Sequence, residues 1–171
     1  CLEYCRRQTT PDGVIASDSD ELEGRLPTGK ANLSTSSLCY GGLRSAADLE
    51  LPMVAVSLAY RKGYFRQRLN QEGNQTEEPD PWQPETVLPA VDAAFTVRVE
   101  DRDVKVRAWR YNVHGLSGFV VPVYLLDTDL PENSEYDCSL TDALYGGAER
   151  YRICQEVLLG TGGVALLRTL N

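Results

Sequence analysis

The first 36 positions are polar, rich in Ser, Thr, Asp and Gly, and carry no apolar period. An irregular or disordered leader is therefore expected over 1–36 and an ordered domain segment over 37–171. Within the ordered part, Leu43, Ala46, Ala47 and Leu49 fall at helical spacing, and Pro52 ends that helix. Val54 to Tyr60 is a compact β-branched run, which predicts a buried strand. Tyr64 to Leu69 reads as a strand entering a polar loop, and Pro79, Pro81, Pro84 and Pro89 make 77–90 an extended connection. Phe95–Glu100 and Val104–Trp109 alternate apolar with polar about an Asp101-Arg102-Asp103 turn, the pattern of an antiparallel hairpin with one wet face. Val121–Leu126 is a second buried strand. The stretch from Leu140 to Leu170 is helical in pattern, with Ser139 or Thr141 as a cap and a break at Tyr145-Gly146-Gly147. Its last helix, 150–170, contains Gly160, Gly162 and Gly163, which implies close packing against another backbone.

Composition narrows the class. The chain has 171 residues, 42% hydrophobic and 25% charged, as in an ordinary globular domain. A net charge of −8 argues against nucleic acid as a partner. The densest basic run, Arg61-Lys62 through Arg66 and Arg68, sits beside acidic residues 72–80 and reads as a solvated hairpin face. The longest greasy stretch, Phe119–Leu126, is strand-sized, so no membrane span is expected. The chain opens on Cys1 with no secretory signal, which reads as a partial chain. Five cysteines without CxxC spacing suggest reduced structural thiols, no metal site and a cytoplasmic or organelle-matrix setting. The triplets Asn32-Leu-Ser34 and Asn74-Gln-Thr76 match glycosylation acceptors, but such triplets arise often by chance.

Candidate chemistry is sparse. Ser34–Ser37 with Gly41-Gly42 suggests a turn into a helix N-terminus, where unpaired N–H groups could hold an oxyanion, or a plain tight turn. His114, the single histidine, falls in a loop-like segment. Asp127 and Asp129 follow a buried strand, where active-site carboxylates of open α/β sheets lie, although a turn would use them equally well.

Several blocks, in order from about Ser37 to the end, resemble the α-glucan phosphorylases, the glycogen, starch and maltodextrin phosphorylase family in its short bacterial and archaeal form. They are Tyr40-Gly-Gly-Leu43, Arg44-Ser-Ala-Ala-Asp-Leu-Glu-Leu-Pro52, Tyr60-Arg-Lys-Gly-Tyr-Phe-Arg-Gln67, Val123-Tyr-Leu-Leu-Asp-Thr-Asp-Leu-Pro-Glu-Asn133, Leu144-Tyr-Gly-Gly147, Arg152-Ile-Cys-Gln-Glu156 and Leu158-Leu-Gly-Thr-Gly-Gly-Val164. The resemblance implies an α/β fold, the Rossmann-like N-terminal segment of a two-domain glycosyltransferase with an inserted antiparallel β-hairpin. It implies phosphorolysis of α-1,4-glucan to α-glucose 1-phosphate with pyridoxal phosphate, whose lysine lies in a C-terminal domain outside this chain. α-Glucan, phosphate and that missing domain or another chain are then the implied partners. By the same resemblance Gly41 and Gly42 face the phosphates, Leu43 lines the glucosyl subsite, and Tyr145, Gly146 and Gly147 form the substrate gate; no catalytic residue and no metal ligand carries over. The departures matter. Leu43 runs straight into Arg44, omitting about eight residues, or ~12 Å of helix. Ala148 stands where the family's gate ends in Asp, and Gly73-Asn74-Gln75 replaces G-W-Q. The expectation is a phosphorylase segment inactive alone, with a repurposed non-catalytic subunit or binding module as the alternative.

Overall fold

A computed structural model describes residues 33–62, 65–79, 82–144 and 147–170. Its elements are α1 (Leu33–Asp48), β1 (Ala55–Leu58), β2 (Phe65–Leu69), β3 (Gln75–Pro79), a 3₁₀ turn (Pro84–Thr86), β4 (Phe95–Val99), β5 (Arg102–His114), β6 (Val120–Asp127), α2 (Glu135–Ser139) and α3 (Glu149–Leu170). Four strands form one mixed sheet in the order β1-β6-β5-β4, with β1 parallel to β6 and the other pairs antiparallel.

Period-two alternation divides the sheet into two faces. On one face Leu58, Val97, Val106 and Leu126 are buried against Cys154, Leu158 and Leu166 of α3. On the other, Val113, Val121 and Val123 meet Ala46 and Ala47 of α1, with Leu43 packed beside them. Trp82, Leu88 and Trp109 extend that second face next to Leu125. The result is a helix–sheet–helix sandwich with α1 and α3 on opposite sides. Gly162 and Gly163 let α3 settle onto the strands: a Cβ at Gly162 would lie 3.1 Å from Leu126 Cδ1 and 3.3 Å from Val97 Cγ2. The expected close packing is present, but its partners are strand side chains rather than backbone, and Gly160 faces open space. α3 is long and apolar enough to cross a membrane by length and composition alone, a property that core helices share. Its buried residues join the core of the sandwich.

Five further features differ from expectation. The turn expected at Ser34–Ser37 and Gly41-Gly42 is helix: α1 begins ten residues before Leu43 and absorbs both glycines. It ends in a Schellman-type closure, with Leu51 N–H donating to Ala46 O at 2.9 Å and Glu50 at φ 55°. Gln75–Pro79, expected as polar loop and the start of the 77–90 connection, pairs with β2 as a separate hairpin whose β3 strand is exposed throughout. The β4–β5 turn is Glu100-Asp101, one residue earlier than expected, because Val99 pairs with Arg102. β5 then continues to His114, which is the exposed end of a strand rather than a loop residue. Ser134, not Ser139 or Thr141, caps a helix by accepting from Asp137 N–H at 3.2 Å. The leader expected at 1–36 lies outside the described residues up to position 32.

Glu100 ties the hairpin tip to α3. Its carboxylate accepts from Arg150 Nε at 2.7 Å and Arg150 Nη2 at 2.8 Å, and from Arg102. The Arg150 bonds first, then the Arg102 bond, lower its pKa to about 2. A carboxylate depressed in the folded state stabilises it fully above its unfolded pKa of about 4.3, and that contribution is lost as pH falls through the folded value. NMR titration should therefore place the Glu100 midpoint near pH 2, and Glu100→Gln should flatten the acid limb of the stability curve between those two values. A midpoint in the ordinary carboxylate range would show that the tip is not tied to α3.

Candidate functional site at the C-terminal edge of the sheet

The parallel pair β1 and β6 ends at the same edge of the sheet, the edge where open α/β sheets form crevices. Asp127, the last residue of β6, is fully buried there. Two arginines and a tryptophan converge on it. Arg61 donates through Nη2 at 2.7 Å and Nε at 3.1 Å, Arg107 through Nε at 2.8 Å, and Trp109 through Nε1 at 2.8 Å. Local geometry puts Arg61 in place: Ala59 N–H bonds Leu126 O, Tyr60 turns the chain at φ 42°, and Arg61 N–H bonds Thr141 O. Burial alone would raise the Asp127 pKa; the bonds from Arg61, Trp109 and Arg107 outweigh it and hold the carboxyl below its ordinary value. Burial also opposes the charge on Arg61, and Asp127 and Glu85 overcome it and push its pKa up.

The loop after β6 is equally constrained. Asn133 Nδ2 donates to Lys105 O and Thr128 O, while its Oδ1 accepts from Lys105 N–H at 2.8 Å. Arg107 Nη2 holds Asp129 O at 2.9 Å. Thr128 and Thr141 are both buried and share a 3.2 Å contact.

Beside this clamp lies a cleft of about 360 Å³ between the Arg61-Lys62 turn, Trp82-Gln83, Asp129, α2 and Asp142. Lys62 Nζ reaches Asp142 at 2.8 Å, which raises the lysine pKa. Asp129 approaches Arg61 only at 3.6 Å. No group of three acidic, cysteine or histidine side chains suited to a metal ion occurs among the described residues.

The residues carried over by resemblance are not brought together. Gly41 and Gly42 are exposed positions in the second half of α1, their N–H groups directed at carbonyls one turn earlier. Leu43 packs against the sheet. Gly147 stands ahead of α3 at φ 73°, where a Cβ would meet the Tyr151 ring at 2.8 Å. Tyr145 and Gly146 lie outside the described residues. Of the two aspartates noted after β6, Asp127 is buried in ion pairs and Asp129 is half-exposed. Arg61 corrects the view of its run as a solvated face: it is 7% exposed, whereas Arg68 pairs with Glu78 at the surface as expected. Arg107 and Asn133 carried no signal beyond Asn133 closing a motif.

No family model matches the chain. Maltodextrin phosphorylase of Thermococcus litoralis is 40% identical over 136 residues, covering 75% of this chain and 16% of that protein. Glycogen phosphorylase of Mycobacterium tuberculosis is 40% identical over 134 residues, 74% of this chain and 15% of its own length. Glycogen phosphorylase of Aquifex aeolicus is 29% identical over 137 residues. This chain is related to the α-glucan phosphorylases. It spans about one-sixth of the T. litoralis relative it matches.

In phosphorylase terms, the shared blocks map largely onto scaffold. Val123–Asn133 is β6 with the loop that Asn133 pins, Tyr60-Arg61 is the turn onto Asp127, and Leu158–Val164 is the stretch of α3 seated on the sheet. The family uses pyridoxal phosphate, but the described residues do not fit its phosphate. The glycine amides are committed within α1, and the cleft lining is acidic overall.

Proposed function

We propose that this chain is a segment of an α-1,4-glucan phosphorylase, Rossmann-like in architecture, that forms one wall of the glucan cleft and does not catalyse phosphorolysis alone. The observation carrying this reading is the identity of 40% over 136 residues to a maltodextrin phosphorylase. The relative's remaining polypeptide would supply the cofactor lysine and the opposite wall. Alone, the purified chain should take up no pyridoxal phosphate and release no glucose 1-phosphate from maltodextrin and phosphate. Co-expression with the remaining portion of the T. litoralis relative should yield a stable complex. Cofactor absorbance or phosphorolysis from the chain alone would overturn the reading.

A second reading is a non-catalytic binding module built on the same scaffold. It draws on the absorption of Gly41-Gly42 into α1 and on Ala148 at the end of the gate. A stable complex with the relative's remainder that lacks phosphorolysis would favour it.

A further inference from the structure

We propose that the outer edge of β1 is a self-association surface, on which a second copy of this chain pairs its own β1 antiparallel across a two-fold axis. The proposal goes beyond the phosphorylase reading and does not depend on it. β1 ends the sheet order β1-β6-β5-β4, so β6 is its one strand neighbour among the described residues. The bond from Ala59 N–H to Leu126 O fixes which residues face that neighbour. Backbone polar groups alternate sides along a strand, so Ala55 and Ser57 face β6 while Val54 and Val56 direct N–H and C=O outward. α1 and α3 cover the two faces of the strand: Ala55 packs with the α1 cluster, and Val56 lies 3.5 Å from the Cβ position of Gly163. Residues 55–57 are nonetheless only half-buried, and Met53 and Val54 are 45% and 38% exposed, as a bare ladder edge requires.

The other strand edges are guarded. β4 carries Arg98, paired with Asp103 at 3.0 Å, β2 carries Arg66 and Arg68, and β3 carries Glu77, Glu78 and Pro79. Charge and proline on an edge oppose pairing with another chain. Leu51 to Tyr60 holds no charged residue, in a chain of net charge −8. Two copies can therefore meet here without carboxylate facing carboxylate. The segment also complements its own reverse. With the axis at Ala55, Val54 and Val56 of one copy exchange both ladder bonds with Val56 and Val54 of the other. Ala55 then meets Ala55, small enough for the close approach of a non-hydrogen-bonded pair, and Met53 comes opposite Ser57. Pro52, which has no N–H, and Leu58, 2% exposed, close the pairing at its ends. This match of the segment to itself selects a second copy as the occupant.

Sedimentation equilibrium and amide hydrogen exchange of the purified chain, over a wide range of its concentration, provide the test. The mass should rise toward that of a dimer, and the Val54 and Val56 amides should become protected in step with it. The Ala59 amide, bonded to Leu126 O, should be protected throughout. Val54→Lys sets a charge on the edge at an exposed position and enters the interface twice, so it should weaken dimerisation by roughly 10-fold. Val164→Lys, at an exposed apolar position on α3, should leave dimerisation unchanged. The exchange arm uses the unaltered chain and so does not depend on either variant folding. A monomer at every concentration would overturn the proposal. So would Val56 protection that ignores concentration, which would mean that the edge is covered from within the same chain. A dimer weakened no more by Val54→Lys than by Val164→Lys would overturn it as well.

Discussion

Asp127→Ala should destabilise the fold by about 3–5 kcal/mol, the range found when one partner of a buried ion pair is removed. The carboxylate is fully buried, and its loss leaves Arg61, 7% exposed, without its main counter-charge. Glu85 contacts Arg61 at 3.1 Å but is itself nearly half exposed and compensates little. Trp109 Nε1 and one bond of Arg107 would be orphaned in the same step. Asp129→Ala, two residues on, should cost under ~1 kcal/mol, because its contact is long and solvated. Denaturant midpoints for the two variants provide the comparison, and a near-equal effect would refute the clamp. The pH dependence follows with a definite sign. The Asp127 pKa is lowered in the folded state, so its contribution is present above the unfolded value near 3.9 and disappears as pH falls below it.

Gly115→Ala should be the most damaging single-methyl change, costing roughly 2–3 kcal/mol. A Cβ there would sit 2.3 Å from Ala47 O and 2.5 Å from Ala47 C, and backbone atoms at the end of a helix cannot rotate away as a side chain can. Relief requires α1 to retreat from the β5–β6 turn, which breaks the bond from Leu116 N–H to Asp48 Oδ1 at 2.7 Å. It would also open the seam where Ala46 and Ala47 meet Val113 and Val121. Faster proteolysis between α1 and β1, alongside lost stability, is the expected signature. Gly160→Ala is the matched control: nothing lies within 4 Å of its Cβ, and a helix-interior alanine there should stabilise by about 0.5–1 kcal/mol. Equal stability of the Gly115 and Gly160 variants would mean that α1 is not seated as described.

The legible parts of this fold are those whose partners announce themselves by period. The β4–β5 hairpin alternates apolar with polar, β6 is a compact apolar run, and α3 was located to within one residue despite three glycines, because its buried positions Cys154, Leu158 and Leu166 keep helical spacing. β3 was missed because Gln75–Pro79 has no apolar face: it is held by register with β2, not by burial. The first ten residues of α1 were missed because Ser, Thr and Gly disfavour helices locally. At the site, Asp127 could be noted as a carboxylate after a strand, but not its burial. Arg61 lies 66 positions earlier, and only the parallel pairing of β1 with β6 brings the two together. Resemblance to the family correctly named the relationship but pointed to glycines whose amides α1 has consumed.

The chain is related to the phosphorylases, yet its Gly41-Gly42 segment is closed into α1, so no phosphate should bind there. Amide NMR of Gly41 and Gly42 during titration with phosphate, and then glucose 1-phosphate, tests it most directly. The account predicts helical shifts at both glycines and no saturable change with either anion. Saturable submillimolar binding centred on those two amides would contradict it.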